Sequence, residues 1–144
     1  MCETLKMNDI YYFTKQNVSE KEYKIQSMIY NANIVNVPQP YSYDKNTKEL
    51  KMRKIPNMSI ADMYGEEFYR VPTIIIEKIR NIISTLYYYG LEYPDITGYN
   101  FIEYQNKVWI IDFEHAQFNN NKSIYDPFIL DFINGANSWN PQFA

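Results

Sequence analysis

Two hydrophobic patterns follow one another along the chain, and each predicts a different kind of element. The segment Asp9–Lys15 is rich in β-branched and aromatic residues, which is typical of a short strand. From Ser19 onward apolar residues recur at roughly helical spacing, and Ser19 and Glu22 form an S-x-x-E capping box. The pattern therefore predicts a helix that begins near Ser19 and ends before the VPQP stretch at residues 37–40.

A strand pair and the longest predicted helix come next. Residues 40–55 have the pattern of strand, polar turn and strand, with the turn at Asp44–Lys48. A short helix is predicted over Ile60–Tyr64. The strongest helix follows, because Pro72 stands at its start, Gly90 lies just past its end, and its apolar residues form one wide stripe. The stripe consists of Ile75, Ile79, Ile82, Ile83 and Leu86.

The last third of the chain predicts a hairpin and one more helix. Residues 100–104 and 107–113 indicate two strands around Gln105–Asn106, and a helix is expected over Pro127–Ile133 before an irregular end. The order is strand, helix, two strands, helix, hairpin, helix. This is an α+β arrangement with local strand pairs rather than a βαβ alternation, and 144 residues suit one domain.

Composition excludes several classes of function. The net charge is −3, and no basic run is longer than KMRK, so a nucleic-acid partner is not expected. No apolar run approaches the ~18 residues of a membrane span, and the first thirty residues do not resemble a signal peptide. Cys2 is the only cysteine and His115 the only histidine, which excludes an internal disulfide and a Cys or His-cluster metal site. We expect a cytoplasmic protein.

Three polar residues among apolar neighbours carry the candidate chemistry. Asn100 is predicted to start the first hairpin strand and Asp112 to end the second, so a tight turn brings them together. One charged and one neutral oxygen donor suit a hard cation such as Mg²⁺, which keeps part of its water. Asp95 would lie beside this volume, where it could orient a hydroxyl group and accept its proton.

The surrounding sequence resembles the protein-kinase-like superfamily. GLEYPDITGYNFI, followed by VWIIDFEHA, is similar to the pattern G-[IL]-x-H-x-D-[LI]-x-x-x-N followed by D-F-G. The resemblance implies that Asp95 is the catalytic base, that Asn100 and Asp112 bind the metal, and that ATP and Mg²⁺ are the cofactors. It is nearest to small atypical kinases of the RIO and KEOPS types and to aminoglycoside and choline kinase-like phosphotransferases.

The resemblance extends upstream and implies a reduced two-lobe fold. It divides the chain into an N-lobe (1–56) with a small antiparallel sheet and one helix, a hinge (57–71) and a truncated, mainly helical C-lobe (72–144). Glu22 lies where the family's helix carries its ion-pairing Glu, and Lys15 is the best candidate for the lysine partner. Both residues are therefore expected to take part in nucleotide binding.

Several positions depart from the family pattern. No glycine precedes Gly65, so the glycine-rich loop over the ATP phosphates is absent. Tyr93 and Pro94 replace the usual His and Arg, Glu114 replaces the glycine of D-F-G, and thirty residues follow Glu114. Most substrate-binding helices are therefore expected to be missing.

Structural roles are the alternative for each candidate. Asp95 could be a turn residue, since Pro-Asp is common in turns. Glu22 could serve only its capping box, and Lys15 could be an exposed strand-end lysine. For His115 we expect packing or a local hydrogen bond, and for Trp139 a contact that pins the chain end.

Three functions follow from the resemblance. The first is a minimal ATP-dependent kinase acting on protein Ser or Thr. The second is a catalytically weak or inactive pseudokinase that works as a binding or scaffold module, and the third is a small-molecule kinase of the choline or aminoglycoside type. A protein substrate or partner chain is expected, and self-association is a further expectation. Fifteen tyrosines, four glycines and abundant Ile, Asn and Lys indicate an AT-rich genome, such as that of a large DNA virus, in which case the protein would act in the host cytoplasm or the virion.

Overall fold

The computed structural model describes residues 6–7 and 10–143, and the side chains of residues 11–143. Cys2 and Asp9, which entered the sequence predictions, lie outside the described residues. Among residues 6–7 and 10–143, no helix has both the length and the apolar character that a membrane crossing requires.

The first part of the chain forms a four-stranded antiparallel sheet with one helix. Its strands are β1 (Lys6–Met7), β2 (Ile10–Lys15), β3 (Pro40–Asp44) and β4 (Glu49–Arg53), in the order β1-β2-β4-β3. The helix α1 (Glu20–Asn31) connects β2 to β3. It begins where the sequence predicts, because the Ser19 side chain accepts a hydrogen bond from the Glu22 N–H at 3.1 Å.

Two helices connect the sheet to the rest of the chain. The short helix α2 (Ile60–Tyr64) matches its predicted range and is capped by Ser59, which accepts from the Asp62 N–H at 3.1 Å. The long helix α3 (Thr73–Tyr88) follows Pro72 and is followed by Gly90, whose φ of +84° favours glycine. The predicted apolar stripe of α3 is buried, with Ile76 as a further member.

The final part contains two short strand pairs and one helix. The strands β5 (Leu91–Glu92) and β8 (Gln117–Phe118) pair with each other, as do β6 (Phe101–Tyr104) and β7 (Lys107–Ile110). The helix α4 (Pro127–Ile133) has the predicted range. The sequence predictions did not include β1, β5 and β8, because two residues are too few to show a period.

The predicted ends of the hairpin were wrong by a few residues. The second strand stops at Ile110 rather than Phe113, because Asp112 has a φ of +66° and cannot continue an extended strand. Asn100 belongs to a 3₁₀ turn, Gly98–Asn100, and precedes the first strand; its N–H donates to the Thr97 oxygen at 3.2 Å. Both residues thus lie just outside the ladder, where side chains are free to turn toward a site.

One apolar cluster connects the two parts of the chain. It includes the buried isoleucines of α3, Ile25 and Ile29 from α1, Phe101 from β6, and Phe113. Since α1 contributes to the same core as α3, the sheet and the helical part are held together by buried apolar surface. The predicted α+β class, with a small antiparallel sheet, one helix and a mainly helical second part, is confirmed.

Candidate active site

Lys15 stands at the centre of a chain of ion pairs. Its Nζ donates to Glu22 Oε2 at 2.6 Å and approaches Asp112 Oδ1 at 3.4 Å. Glu22 is only 3% exposed, so its carboxylate depends on the lysine for a charge partner. The structure thus brings together three of the five candidate residues, which come from β2, α1 and the segment after β7.

Of the two roles that the sequence allowed for Glu22, the structure shows the ion pair. Ser19 caps α1 by accepting from the Glu22 main-chain N–H, a bond that does not need a glutamate, while the Glu22 side chain accepts from Lys15. Burial lowers the pKa of Lys15, but the hydrogen bond to Glu22 and the charge of Asp112 outweigh it, so that the pKa of Lys15 is raised. The ammonium group is therefore held in its charged form, as a phosphate ligand requires.

Asp95 and Asn100 lie in one loop beside Asp112. The Asn100 Nδ2 donates to the Asp95 main-chain oxygen at 2.9 Å, and the Asn100 main-chain oxygen accepts from the Ile111 N–H at 2.9 Å. Burial, followed by the negative charge of Asp112, raises the pKa of Asp95, while the hydrogen bond with Asn100 acts in the opposite direction. The charge of Asp112 acts on Asp95 because the hydrogen bond between Ile111 and Asn100 holds the two segments next to each other.

The donor set suits Mg²⁺. The Asp112 contacts with Lys15 and with the Glu114 N–H both use Oδ1, which leaves Oδ2 for another ligand. In the same way, the Asn100 side chain uses Nδ2 for the bond to Asp95, which leaves its Oδ1 for another ligand. In the described part of the chain, no group of three or more His, Cys, Asp or Glu side chains could hold a metal. Mg²⁺ commonly binds one or two protein ligands and completes its shell with water and phosphates, so this pair fits it.

A cavity of about 350 Å³ opens beside these charges. Lys15 and Asp112 lie in its lining, and the rest is mostly apolar. The apolar lining comes from both parts of the chain and consists of Phe13, Pro38, Met52, Ile55, Ile102 and Ile111. A volume of this size lies within the usual range for small-ligand sites. A mostly apolar cavity whose lining includes the Lys15 cation and the Asp112 carboxylate suits a planar base with phosphates attached.

Comparison with known proteins identifies the family of this chain. A family model described as the RIO domain matches residues 6–131. The chain belongs to the RIO-domain family. The RIO domain is an atypical member of the protein-kinase-like superfamily, so the predicted superfamily is confirmed. A search of curated proteins finds no match.

A solved structure has the same fold. The Cydia pomonella granulovirus kinase PK-1 is similar over 81% of this chain and 47% of the viral chain, with a TM-score of 0.59 and 13% sequence identity. At that identity the likeness concerns the fold alone, and it confirms the reduced kinase-like two-lobe arrangement. The RIO domain described here spans about half the length of the viral kinase chain.

One departure from the family pattern has a clear structural role in this RIO domain. Tyr93, which stands where the pattern has His, is 1% exposed and packs edge-on against Phe113, with ring centroids 5.6 Å apart. Its hydroxyl donates to the Ile111 oxygen at 2.7 Å. Tyr93 therefore connects the Asp95 loop to the Asp112 segment, although the sequence analysis treated it only as a difference.

The remaining candidates lie around the same loop. His115 is exposed, and its ring packs against Phe143 with the ring centroids 5.1 Å apart, which agrees with the packing role expected for it. Trp139 contacts Phe68 at 4.9 Å near the chain end. The sequence analysis did not single out Asn140, which bonds the main chain on both sides of Asp95. An Asn in an irregular tail carries no local signal for such a distant partner.

Proposed function

We propose that this RIO domain is a minimal ATP-dependent phosphotransferase that uses the hydroxyl group of a protein Ser or Thr as acceptor. The observation that carries the proposal is the position of Lys15, which contacts both Glu22 and Asp112 beside an apolar cavity. Membership of the RIO-domain family supports it. A purely structural ion pair would have no need of an adjacent ligand-sized cavity.

The chain's own residues divide the work of the reaction. Lys15, with its pKa raised, would neutralise phosphate oxygens, and Glu22 would hold it in place. Asn100 and Asp112 would hold Mg²⁺, which when bound would neutralise charge on the transferring phosphoryl group. Asp95 would orient the acceptor hydroxyl and take its proton. The raised pKa of Asp95 makes it a stronger base than an exposed aspartate.

The acceptor side of the site is open. Asp95 is half-buried, and the neighbouring Glu114 and His115 are exposed. An open entrance suits a side chain presented by another protein better than a small molecule that must be enclosed. This argument favours a protein acceptor over an amino-alcohol.

The test begins with nucleotide binding. A thermal-shift titration with Mg-ATP should stabilise the wild type, and Asp112→Ala should lose that stabilisation, because ligand binding to the folded state raises its stability. Lys24→Ala, which removes an exposed lysine of α1, serves as the control and should respond as the wild type does. No stabilisation of the wild type at millimolar Mg-ATP would contradict the proposal.

Radioactive phosphate transfer then tests the chemistry. The wild type should label a Ser/Thr protein or itself, and Asp95→Ala should abolish labelling while Mg-ATP still binds. Transfer to choline or an aminoglycoside, but not to protein, would instead support the small-molecule kinase.

A nucleotide-binding scaffold is the second candidate. It is favoured by Tyr93 and Pro94, which stand where the family pattern has His and Arg before the catalytic Asp. Binding of Mg-ATP without any transfer would support this function.

A further inference from the structure

The loop that carries Asp95 depends on contacts from elsewhere in the chain. Residues 93–97 lie between β5 and the 3₁₀ turn Gly98–Asn100, outside the strand ladders. Main-chain groups in such a segment need other partners. The Pro94 and Ile96 oxygens, on either side of Asp95, both accept hydrogen bonds from Asn140.

Asn140 is placed for this contact by its burial and by its own bonds. It is 2% exposed, its Nδ2 lies 2.8 Å from the Pro94 oxygen, and its main-chain nitrogen lies 2.9 Å from the Ile96 oxygen. Its Oδ1 accepts from the Gln142 N–H at 3.1 Å, and its main-chain oxygen accepts from the Phe143 N–H at 3.1 Å. Rotation of the amide would break bonds at both ends.

Aromatic contacts hold the same tail against the site. A Cβ added at Gly98 would lie 3.3 Å from Trp139, so the ring packs directly on the loop's main chain. The other face of the tail reaches the segment after Asp112, where the Phe143 ring lies 5.1 Å from the His115 ring. The tail thus contacts both the Asp95 loop and the Asp112 segment.

Hydrogen bonds from Arg80 of α3 fix the path by which the tail reaches the loop. The Arg80 guanidinium donates to the Phe132 oxygen at the end of α4 and to the Asn137 oxygen at 3.2 Å. The Asn137 Nδ2 donates back to the Phe128 oxygen at 3.1 Å. These bonds direct residues 137–140 back from α4 toward the loop.

We propose that residues Trp139–Phe143, here called the C-terminal clamp, hold Asp95 in its working position, and that Asn140 is the principal positioning residue. Asn140 touches no reacting group and acts only through the main chain around Asp95. The proposal rests on the proposed phosphotransferase function for its kinetic effect. Its structural part, the dependence of the loop on Asn140, stands independently.

The kinetic test compares variants at Asn140 with a control in the same tail. Asn140→Ala removes the side-chain bonds, and Asn140→Leu removes them while keeping the volume. Both should lower kcat for phosphate transfer by about 10- to 100-fold, since small misplacement of a reacting group has effects of that order. KM for ATP and the Mg-ATP thermal shift should stay within about twofold, because Lys15 and Asp112 are untouched. Ser138→Ala, at an exposed position in the same tail just before the clamp, should leave kcat unchanged.

Amide hydrogen exchange tests the clamp without any catalysis. In the wild type, the Asn140 N–H should exchange as slowly as the Ile111 N–H. The Ile111 N–H is the reference because it bonds the same loop through the Asn100 main-chain oxygen. In Asn140→Ala, amides of residues 93–100 should exchange at least about tenfold faster while those in α3 keep their rates. Free exchange of the wild-type Asn140 amide, or equal acceleration of loop and α3, would overturn the clamp.

The two proposals fail in different ways. If the wild type transfers no phosphate but the exchange results hold, the proposed function is wrong and the clamp stands as a structural element. If transfer occurs and Asn140→Leu keeps wild-type kcat, the clamp is wrong and the function stands.

Discussion

The Tyr93 hydroxyl donates a hydrogen bond to the Ile111 main-chain oxygen at 2.7 Å. The Ile111 N–H in turn donates to the Asn100 main-chain oxygen at 2.9 Å. One residue of the Asp112 segment is therefore bonded to both ends of the loop that carries Asp95. The Tyr93 hydroxyl bond and the main-chain bond from Ile111 to Asn100 thus hold the candidate base and the candidate metal ligands in one unit, independent of the side chains of Asp95, Asn100 and Asp112.

Replacing Tyr93 with Phe tests this connection. Tyr93→Phe keeps the buried ring and its contact with Phe113, but it leaves the Ile111 oxygen without its donor. We expect a loss of about 1–3 kcal/mol in the free energy of unfolding, measured by urea denaturation. Tyr88→Phe, at a ring that is 76% exposed, is the control and should change stability by less than about 0.5 kcal/mol. Equal stabilities for the two variants would contradict the bond's role.

The Lys15–Glu22 pair should behave as a buried ion pair. Lys15→Met leaves the Glu22 carboxylate, 3% exposed, without a cation, and should cost about 3 kcal/mol in the free energy of unfolding. The double variant Lys15→Met/Glu22→Gln removes both charges and should recover most of that loss. A double-mutant cycle by chemical denaturation measures the coupling.

The exposed pair on the same helix is a matched control for that cycle. Lys24 lies 3.2 Å from Glu20, and both side chains are more than half exposed. Lys24→Met should therefore change the free energy of unfolding by no more than about 0.5 kcal/mol. A coupling energy for Lys15 and Glu22 as small as that of this exposed pair would show that burial contributes nothing.

The sequence predicts the elements well and the site only in part, and the reason is the range of the interactions. Ser19 marks the start of α1 and Pro127 the start of α4, because capping and proline geometry are local. The motif spacing also brings Asp95, Asn100 and Asp112 into one region. By contrast, the acceptors of Asn140 and Tyr93 lie 46 and 18 residues away, and no local pattern indicates them. The apolar strand pattern that runs up to Asp112 likewise gives no sign of the positive φ of that residue.

Asp95 should lower the stability of the fold at neutral pH. Burial, followed by the charge of Asp112, raises the pKa of Asp95, so the native state holds this proton more tightly than the unfolded chain. The free energy of unfolding therefore falls as the pH rises from the ordinary Asp pKa to the raised pKa of Asp95. At pH values above the raised pKa it stays at the lower value. Asp95→Asn removes the effect and should raise the free energy of unfolding at pH 7 by at most about 1 kcal/mol, since the group is half-buried.

Urea denaturation across pH checks the direction of this effect. The gain from Asp95→Asn should shrink as the pH falls through the raised pKa of Asp95, and it should vanish below the ordinary Asp pKa of about 3.9, where the wild-type carboxyl is protonated in both states. Glu77→Gln, at an exposed position in the first half of α3, should show no such gain at pH 7. A loss of stability in Asp95→Asn at pH 7 would mean that the Asp95 carboxylate is favourably bound in the fold.

Gly98 should tolerate no side chain, because the Asp95 loop packs closely on α2 there. A Cβ at this position would lie 3.1 Å from the Ala61 Cβ and 3.2 Å from the Ala61 nitrogen. Gly98→Ala should cost about 1–3 kcal/mol in the free energy of unfolding, measured by urea denaturation, and should lower phosphate transfer as well, since the strain falls on the loop that carries Asp95. Adding Ala61→Gly removes one of the three close contacts, the third being Trp139 at 3.3 Å, so the double variant should recover part of the transfer rate even though glycine weakens α2. Full activity in Gly98→Ala alone would mean that the loop can move away from α2 without displacing Asp95.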